Sequence, residues 1–146
     1  MEIAGEIGDR RGEGNALGNL GNAYAALGET RRAIEYLEQQ LEIAREIGDR
    51  RGEGNTLGNL GIAYAELGET RRAIEYLEQK LEIAREIGDR RGEGNALFNS
   101  ALALYKVGDR QEAMERMQAA AEIFEEIDSL HAEEARLVLT EWRSKK

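Results

Sequence analysis

The chain has no cysteine, no proline, a single histidine, and aromatic side chains at only 5% of its 146 positions. Without cysteine there is no disulfide framework, no thiolate zinc site and no cysteine nucleophile. A reducing cytoplasm is the expected compartment. His131, near Glu134, reads as a capping or exposed side chain rather than a ligand or base. No serine or threonine joins it and a carboxylate in a recognisable nucleophilic arrangement, so no enzyme activity is expected. The lack of proline and scarcity of aromatics suit long helices better than sandwiches or barrels. No run approaches the ~18 apolar residues that span a bilayer, and residues 1–20 lack a signal peptide's apolar core. No membrane partner is expected. Lysine is scarce too: Lys80, Lys106, Lys145 and Lys146 are the only ones among 20 basic residues. The arginine pairs sit among Glu and Asp in a chain of net charge −9. That balance repels a phosphate backbone and argues against nucleic acid. Arginine's ability to hold carboxylates bidentately favours protein partners.

What is present is repetition. Residues 9–48 and 49–88 are one 40-residue sequence written twice, differing only at Ala16/Thr56, Asn22/Ile62, Ala26/Glu66 and Gln40/Lys80. A fixed period of this length implies stacked supersecondary units, none able to bury its apolar face alone. Each period contains two helices. Helix A is expected from Arg10 to Leu27, ended by Gly28; helix B runs from Arg31 to Ile47, with Thr30 as its N-cap. Gly48 reads as the residue just past helix B, and Asp49 as the next N-cap. The short Glu29–Thr30 connection makes the pair antiparallel. A third period, 89–128, begins as a copy and diverges, with Asp109 and Glu112 forming a capping box. Residues 129–146 make one more helix, with Ala132, Ala135, Val138, Leu139 and Trp142 on one face, then a basic end at Lys145–Lys146. It reads as a cap on the last repeat. Residues 1–8 match the tail of a helix B and predict a separate remnant ahead of seven helices, as if cut from a longer array.

On a 100° wheel, helix A divides into three stripes. Glu13, Leu17, Leu20, Tyr24 and Leu27 form the core side, and Leu20's surroundings should recur around Leu60. Gly14, Gly18, Gly21 and Ala25 form a small-residue flank. Each interior glycine there costs roughly 1 kcal/mol of helix propensity, which close approach of helix B near Ala33 would offset. Opposite the core lie Arg11, Asn15, Gly18 and Asn22, then Arg51, Asn55, Gly58 and Ile62, then Arg91, Asn95, Phe98 and Leu102. Arg11 stands in the first turn, against the helix dipole, with no acidic residue three or four positions on. Two readings stand: a binding stripe, or structural pairing of Arg11 with a glutamate such as Glu6. Phe98, Leu102 and Tyr105 form either an apolar anchor patch or a surface covered by the cap helix, which is the favoured reading. Glycines 12, 14, 18 and 21 do not match a phosphate-binding loop. Glu35, Glu38 and Glu42 read as a solvated face rather than a calcium cage. No metal or cofactor is expected.

The unit resembles the tetratricopeptide repeat, through Leu20, Gly21, Tyr24, Gly28 and Ala33 and again through Leu60, Gly61, Tyr64, Gly68 and Ala73. The third copy keeps Gly108 and Ala113, with Ala101 and Leu104 substituting. Two features depart from the pattern. Gln40 or Lys80 stands where a small residue is usual, and the closing proline is absent. The period exceeds the usual ~34 residues, adding about 9 Å of helix. This long form is similar to the Leu-Gly-Asn repeats of the LGN/Pins scaffolds and to arrays on bacterial signalling ATPases. The resemblance implies an all-α, right-handed superhelical solenoid whose helices A line a concave, peptide-binding groove.

The leading expectation is a protein-interaction module that binds a peptide or partner helix through Arg11, Asn15, Asn22, Arg51, Asn55, Arg91, Asn95 and Phe98. Its ligands would be acidic at the first two repeats and apolar at the third. Two alternatives are a homo-oligomer joined through the open N-terminal end and a regulatory segment of a larger signalling ATPase.

Overall fold

The computed structural model describes residues 3–145, with the side chains of 3–7 and of 129 outside that description. Seven helices follow one another: α1 Ile3–Ala26, α2 Thr30–Glu46, α3 Arg50–Glu66, α4 Thr70–Ile87, α5 Arg90–Lys106, α6 Arg110–Ile127 and α7 Ser129–Ser144. Each packs against its neighbours in the chain, and α3 also touches α5. The result is an all-α superhelical solenoid of antiparallel pairs, with no strand among the described residues. No described helix is long and apolar enough to cross a membrane.

The punctuation falls where residue chemistry places it. Asp49 and Asp89 cap α3 and α5, each accepting a backbone N–H, from Gly52 and Gly92, at 2.9 Å. Asp109 accepts from the Glu112 N–H at the head of α6. Gly48 and Gly88 take φ of +72° and +71°, a left-handed turn that a Cβ would disfavour. Thr30 is not a cap. Glu29 holds that position without a side-chain bond, and the Thr30 hydroxyl instead faces Glu66 at 3.5 Å.

The glycine flank is a contact surface between helices. A Cβ on Gly21 would lie 3.1 Å from Leu37 and 3.4 Å from the Ala33 carbonyl, and on Gly61 2.7 Å from Leu77. Close backbone approach thus offsets the propensity these glycines give up. Gly18 belongs to this flank: it is buried against Gln40.

Two expectations at the N-terminal end are corrected. Residues 3–8 are not a separate remnant; they continue into helix A as the single helix α1. Residues 6–15, 46–55 and 86–95 share one sequence, EIGDRRGEGN. The latter two break into a turn because a full helix B precedes each and packs back on helix A. In the first copy the helix is unbroken, and extending an existing helix avoids the cost of nucleating a new one. The core stripe also fails to repeat. Leu60 is 0% exposed, between α2 and α4, whereas Leu20 is 43% and Leu27 72% exposed. Among the described residues no helix lies on the outer side of α1. In the second copy even the acidic end of the stripe is buried: Glu53 is held by Arg45 and Arg50 at 3.1 and 2.9 Å.

At the other end, α7 closes the stack as expected. Ala132, Ala135, Leu139 and Trp142 are buried, and the Trp142 indole stacks on Tyr105 with centroids 4.3 Å apart. Lys145 pairs with Glu141 at 3.2 Å; Lys146 lies outside the described residues.

Candidate functional site

Helices α1, α3 and α5 carry equivalent polar residues along one face. Between α1, α2 and α3 these line a groove segment of about 660 Å³. It brings together five of the eight expected site residues: Arg11, Asn15, Asn22, Arg51 and Asn55. Asn95 and Phe98 line a separate hollow of about 210 Å³ with Asn99, Phe124, His131 and Glu134. Arg91 is 53% exposed at its side chain and continues the arginine series.

The arginines are already engaged. Arg11 donates to Asp49 at 3.1 Å, and Arg91 to Asp128 at 3.1 Å; Arg51 lies 3.5 Å from Asp89. Each of these aspartates is the N-cap of a helix two elements further on. One carboxylate oxygen caps backbone N–H groups while the other meets the arginine. At Asp128 the bonds from Arg91 and His131 hold the carboxyl down at about 2. The expectation that Arg11 pairs structurally therefore gains a different described partner; Glu6 lies outside the described side chains. The first arginine of each pair has its own role. Arg50 reaches Glu86 and Arg90 reaches Glu126, as Arg10 reaches Glu46 at 2.6 Å. The first arginine of each doublet thus ties helix A to helix B of its own repeat, and the second ties helix A to the cap of the helix that follows.

The asparagines differ. Asn15, Asn19, Asn22, Asn55 and Asn59 all line the first groove segment. None of them makes a side-chain hydrogen bond among the described residues, and each amide carries two donors and an acceptor. Asn19, Asn59 and Asn99 are groove residues that the wheel reading missed. They stand four positions after Asn15, Asn55 and Asn95, one helical turn along the same face. Lys80 was also missed. It stands where the first repeat has Gln40, lines a hollow with Arg51, Asn55 and Asp89, and lies close to Gly58. Burial pushes its ammonium group below the usual lysine range, and it makes no ion pair within 4 Å among the described residues.

Along the same stripe, Asn22 gives way to Ile62, 45% exposed, and Leu102, 41% exposed. Phe98 is half-buried between two apolar clusters, and Tyr105 is covered by Trp142. The cap helix thus covers Tyr105, while Leu102 stays open.

The tetratricopeptide repeat profile matches residues 12–86, just over half of the chain. The chain belongs to the tetratricopeptide repeat family. A second profile, for anaphase-promoting complex subunit 5, matches residues 94–133. No curated protein matches the sequence. Among solved structures, the tetratricopeptide domain of Arabidopsis FLU is similar at 22% identity and TM-score 0.76, over 80% of this chain and 98% of that one. A Rap protein complexed with competence and sporulation factor gives 24% identity and TM-score 0.78, over 94% and 38%. A signal-transduction ATPase with a tetratricopeptide repeat sensor, from Pyrococcus horikoshii, gives 26% and 0.81, over 92% and 21%. The chain therefore spans well under half the length of the last two.

One residue expected to be solvated is not. In this tetratricopeptide array Glu38 of α2 accepts hydrogen bonds from the hydroxyls of Tyr64 and Tyr76, at 3.2 and 2.9 Å. The two rings stack, 5.2 Å apart, with Arg72 over Tyr64 at 4.8 Å. The equivalent Glu78 of the second repeat pairs instead with Arg116 of the third, at 2.5 Å, and Arg116 also binds Ser100. The glutamate at this position of α2 and of α4 thus docks on the following repeat.

Proposed function

We propose that this array is a protein-interaction module that holds an extended peptide segment of a partner protein along its concave face. The observation that carries the reading is the asparagine series at 15, 19, 55, 59, 95 and 99. An asparagine amide can donate to a peptide carbonyl and accept from a peptide N–H at once, so the series suits any sequence in an extended backbone. Selectivity comes from the side chains between. Lys80, which feels Asp89 but has no ion pair within 4 Å among the described residues, is the best cation for a ligand carboxylate, because Arg11, Arg51 and Arg91 are held by cap aspartates. Ile62, Leu102 and the exposed part of Phe98 suit apolar side chains at the far end. The net charge of −9 opposes acidic ligands at long range, so their contacts are short-range ones.

A second reading, a sensor segment of a larger signalling protein, is favoured by the likeness to the Pyrococcus ATPase; it is compatible with the same groove. The test is retention of acidic and neutral peptides by wild type and Lys80→Gln, which copies the first repeat and so keeps the fold. Loss of acidic peptides alone supports the assignment of Lys80. Equal retention of both classes by both proteins contradicts it.

A further inference from the structure

The hollow at the third repeat differs from the groove segment at the first in both its walls and its charge. Phe98 stands where the earlier copies have Gly18 and Gly58, and Phe124 where they have Ala44 and Ala84. Gly18 and Ala44 line a space of about 660 Å³, whereas Phe98 and Phe124 line one of about 210 Å³. A space of that size, below the ~300 Å³ of small ligand pockets, takes a single side chain. The asparagine series also changes character there. Asn55 and Asn95 each stand six residues past the N-cap aspartate of their helix, Asp49 and Asp89. Six residues past Asp128, the N-cap of α7, stands Glu134. It lines the hollow together with His131, Asn95 and Asn99. The neighbouring carboxylate is committed, because Asp128 accepts from Arg91 and pairs with His131. Glu134 is exposed and has no ion pair or side-chain hydrogen bond among the described residues.

We propose that this hollow is a binding site for a lysine or arginine side chain of a ligand peptide, with the Glu134 carboxylate as its counter-ion. The inference rests on the groove reading above and adds the charge that the ligand carries at the third repeat. The rings of Phe98, Phe124 and His131 cover the methylene stem, as apolar surfaces do for long basic side chains whose heads stay polar. The amide oxygens of Asn95 and Asn99 accept further N–H bonds from the cation. A bond between two ionised groups is roughly twice as strong as a neutral one. Glu134 therefore sets the preference for a cation over an apolar side chain of the same length. Long-range electrostatics act in the same direction, since a net charge of −9 draws a basic ligand towards the array.

The test is retention by the full chain, at about 0.15 M salt, of a positional-scanning library of short acetylated and amidated peptides. One position in turn is fixed as Lys, Arg, Glu or Ala. Wild type should favour Lys and Arg over Ala at one position by about tenfold. Glu134→Gln should erase that preference, and Glu134→Lys should turn it towards Glu, both with unchanged thermal melting. Glu133→Gln removes the same charge one residue away, from a side chain that lines a different hollow with Arg136 and Leu137. It should keep the wild-type preference. Peptides retained by wild type with no preference for a basic residue overturn the proposal. An equal preference in wild type and Glu134→Gln does the same, and both results leave the groove reading in place. Equal loss in Glu133→Gln and Glu134→Gln would assign the effect to net charge and also overturn the site. Retention of no peptide by any of the proteins overturns the groove reading, and this site with it.

Discussion

Tyr76 donates its hydroxyl to Glu38 at 2.9 Å, although 38 positions of chain separate them. The bond joins a helix B to the helix B of the next repeat, with Tyr64 of the intervening α3 completing the triad. Burial, and then the Glu38 carboxylate, push the Tyr76 phenol up to about 12.

Glu38→Gln keeps an acceptor but removes its charge, and should cost about 1 kcal/mol in urea unfolding. It should also lower the Tyr76 titration, read by phenolate absorbance. The wild type should lose stability as pH rises from 10 towards about 12. In that window the unfolded Tyr76 ionises while the folded one keeps its proton. A Glu38→Gln protein with unchanged stability and an unchanged tyrosine titration would contradict the triad.

Glycine substitutions should separate contact from open surface. Gly12 has nothing within 4 Å of an added Cβ and lies inside the continuous α1, so Gly12→Ala should stabilise by up to about 1 kcal/mol. At Gly61 the new methyl meets Leu77, and Gly61→Ala should destabilise by about 1–2 kcal/mol. Gly52→Ala presses on the Asp49 cap, so its helix gain should be cancelled by loss of that cap. Chemical denaturation of the three variants checks the order. A Gly12→Ala effect matching Gly52→Ala would indicate a turn at Gly8 like that at Gly48.

Asp128 predicts an acid-sensitive C-terminal cap. Its folded value of about 2 lies below the usual 3.8, so its contribution is fully present above 3.8 and is lost as pH falls through about 2. The groups facing it are Arg91 and His131. Asp128→Asn retains a capping oxygen but removes this pH dependence. Melting between pH 4 and pH 2 should fall less steeply in the variant than in wild type; parallel slopes would contradict the assignment.

Much of this fold was legible locally. Gly48, Asp49 and the Gly14–Gly18–Gly21 flank act through their own helices or immediate neighbours, and the sequence reading placed them correctly. The misread residues act across the stack. Arg11 looks unpaired within its helix because Asp49 reaches it only after α2 has returned the chain. Glu38 looks solvated on the α2 wheel, since its donors belong to the next repeat. The decapeptide at 6–15 matches those at 46–55 and 86–95, yet runs straight. Its conformation depends on what packs beside it, which no local propensity records. Leu20 is open for the same reason. In the groove the arginines drew attention as charges, while the asparagines at 19, 59 and 99 and Lys80 became visible only once the helices were side by side.

The most direct test of the central reading is capture from a library of short unstructured peptides by wild type and by Asn15→Ala/Asn55→Ala/Asn95→Ala. These side chains line the groove outside the apolar clusters, so the triple variant should melt within about 0.5 kcal/mol of wild type, as surface changes do. The predicted result is broad loss of captured peptides across unrelated sequences, because the amides would hold backbone rather than side chains. Capture of the same peptides with equal strength by both proteins would contradict the account.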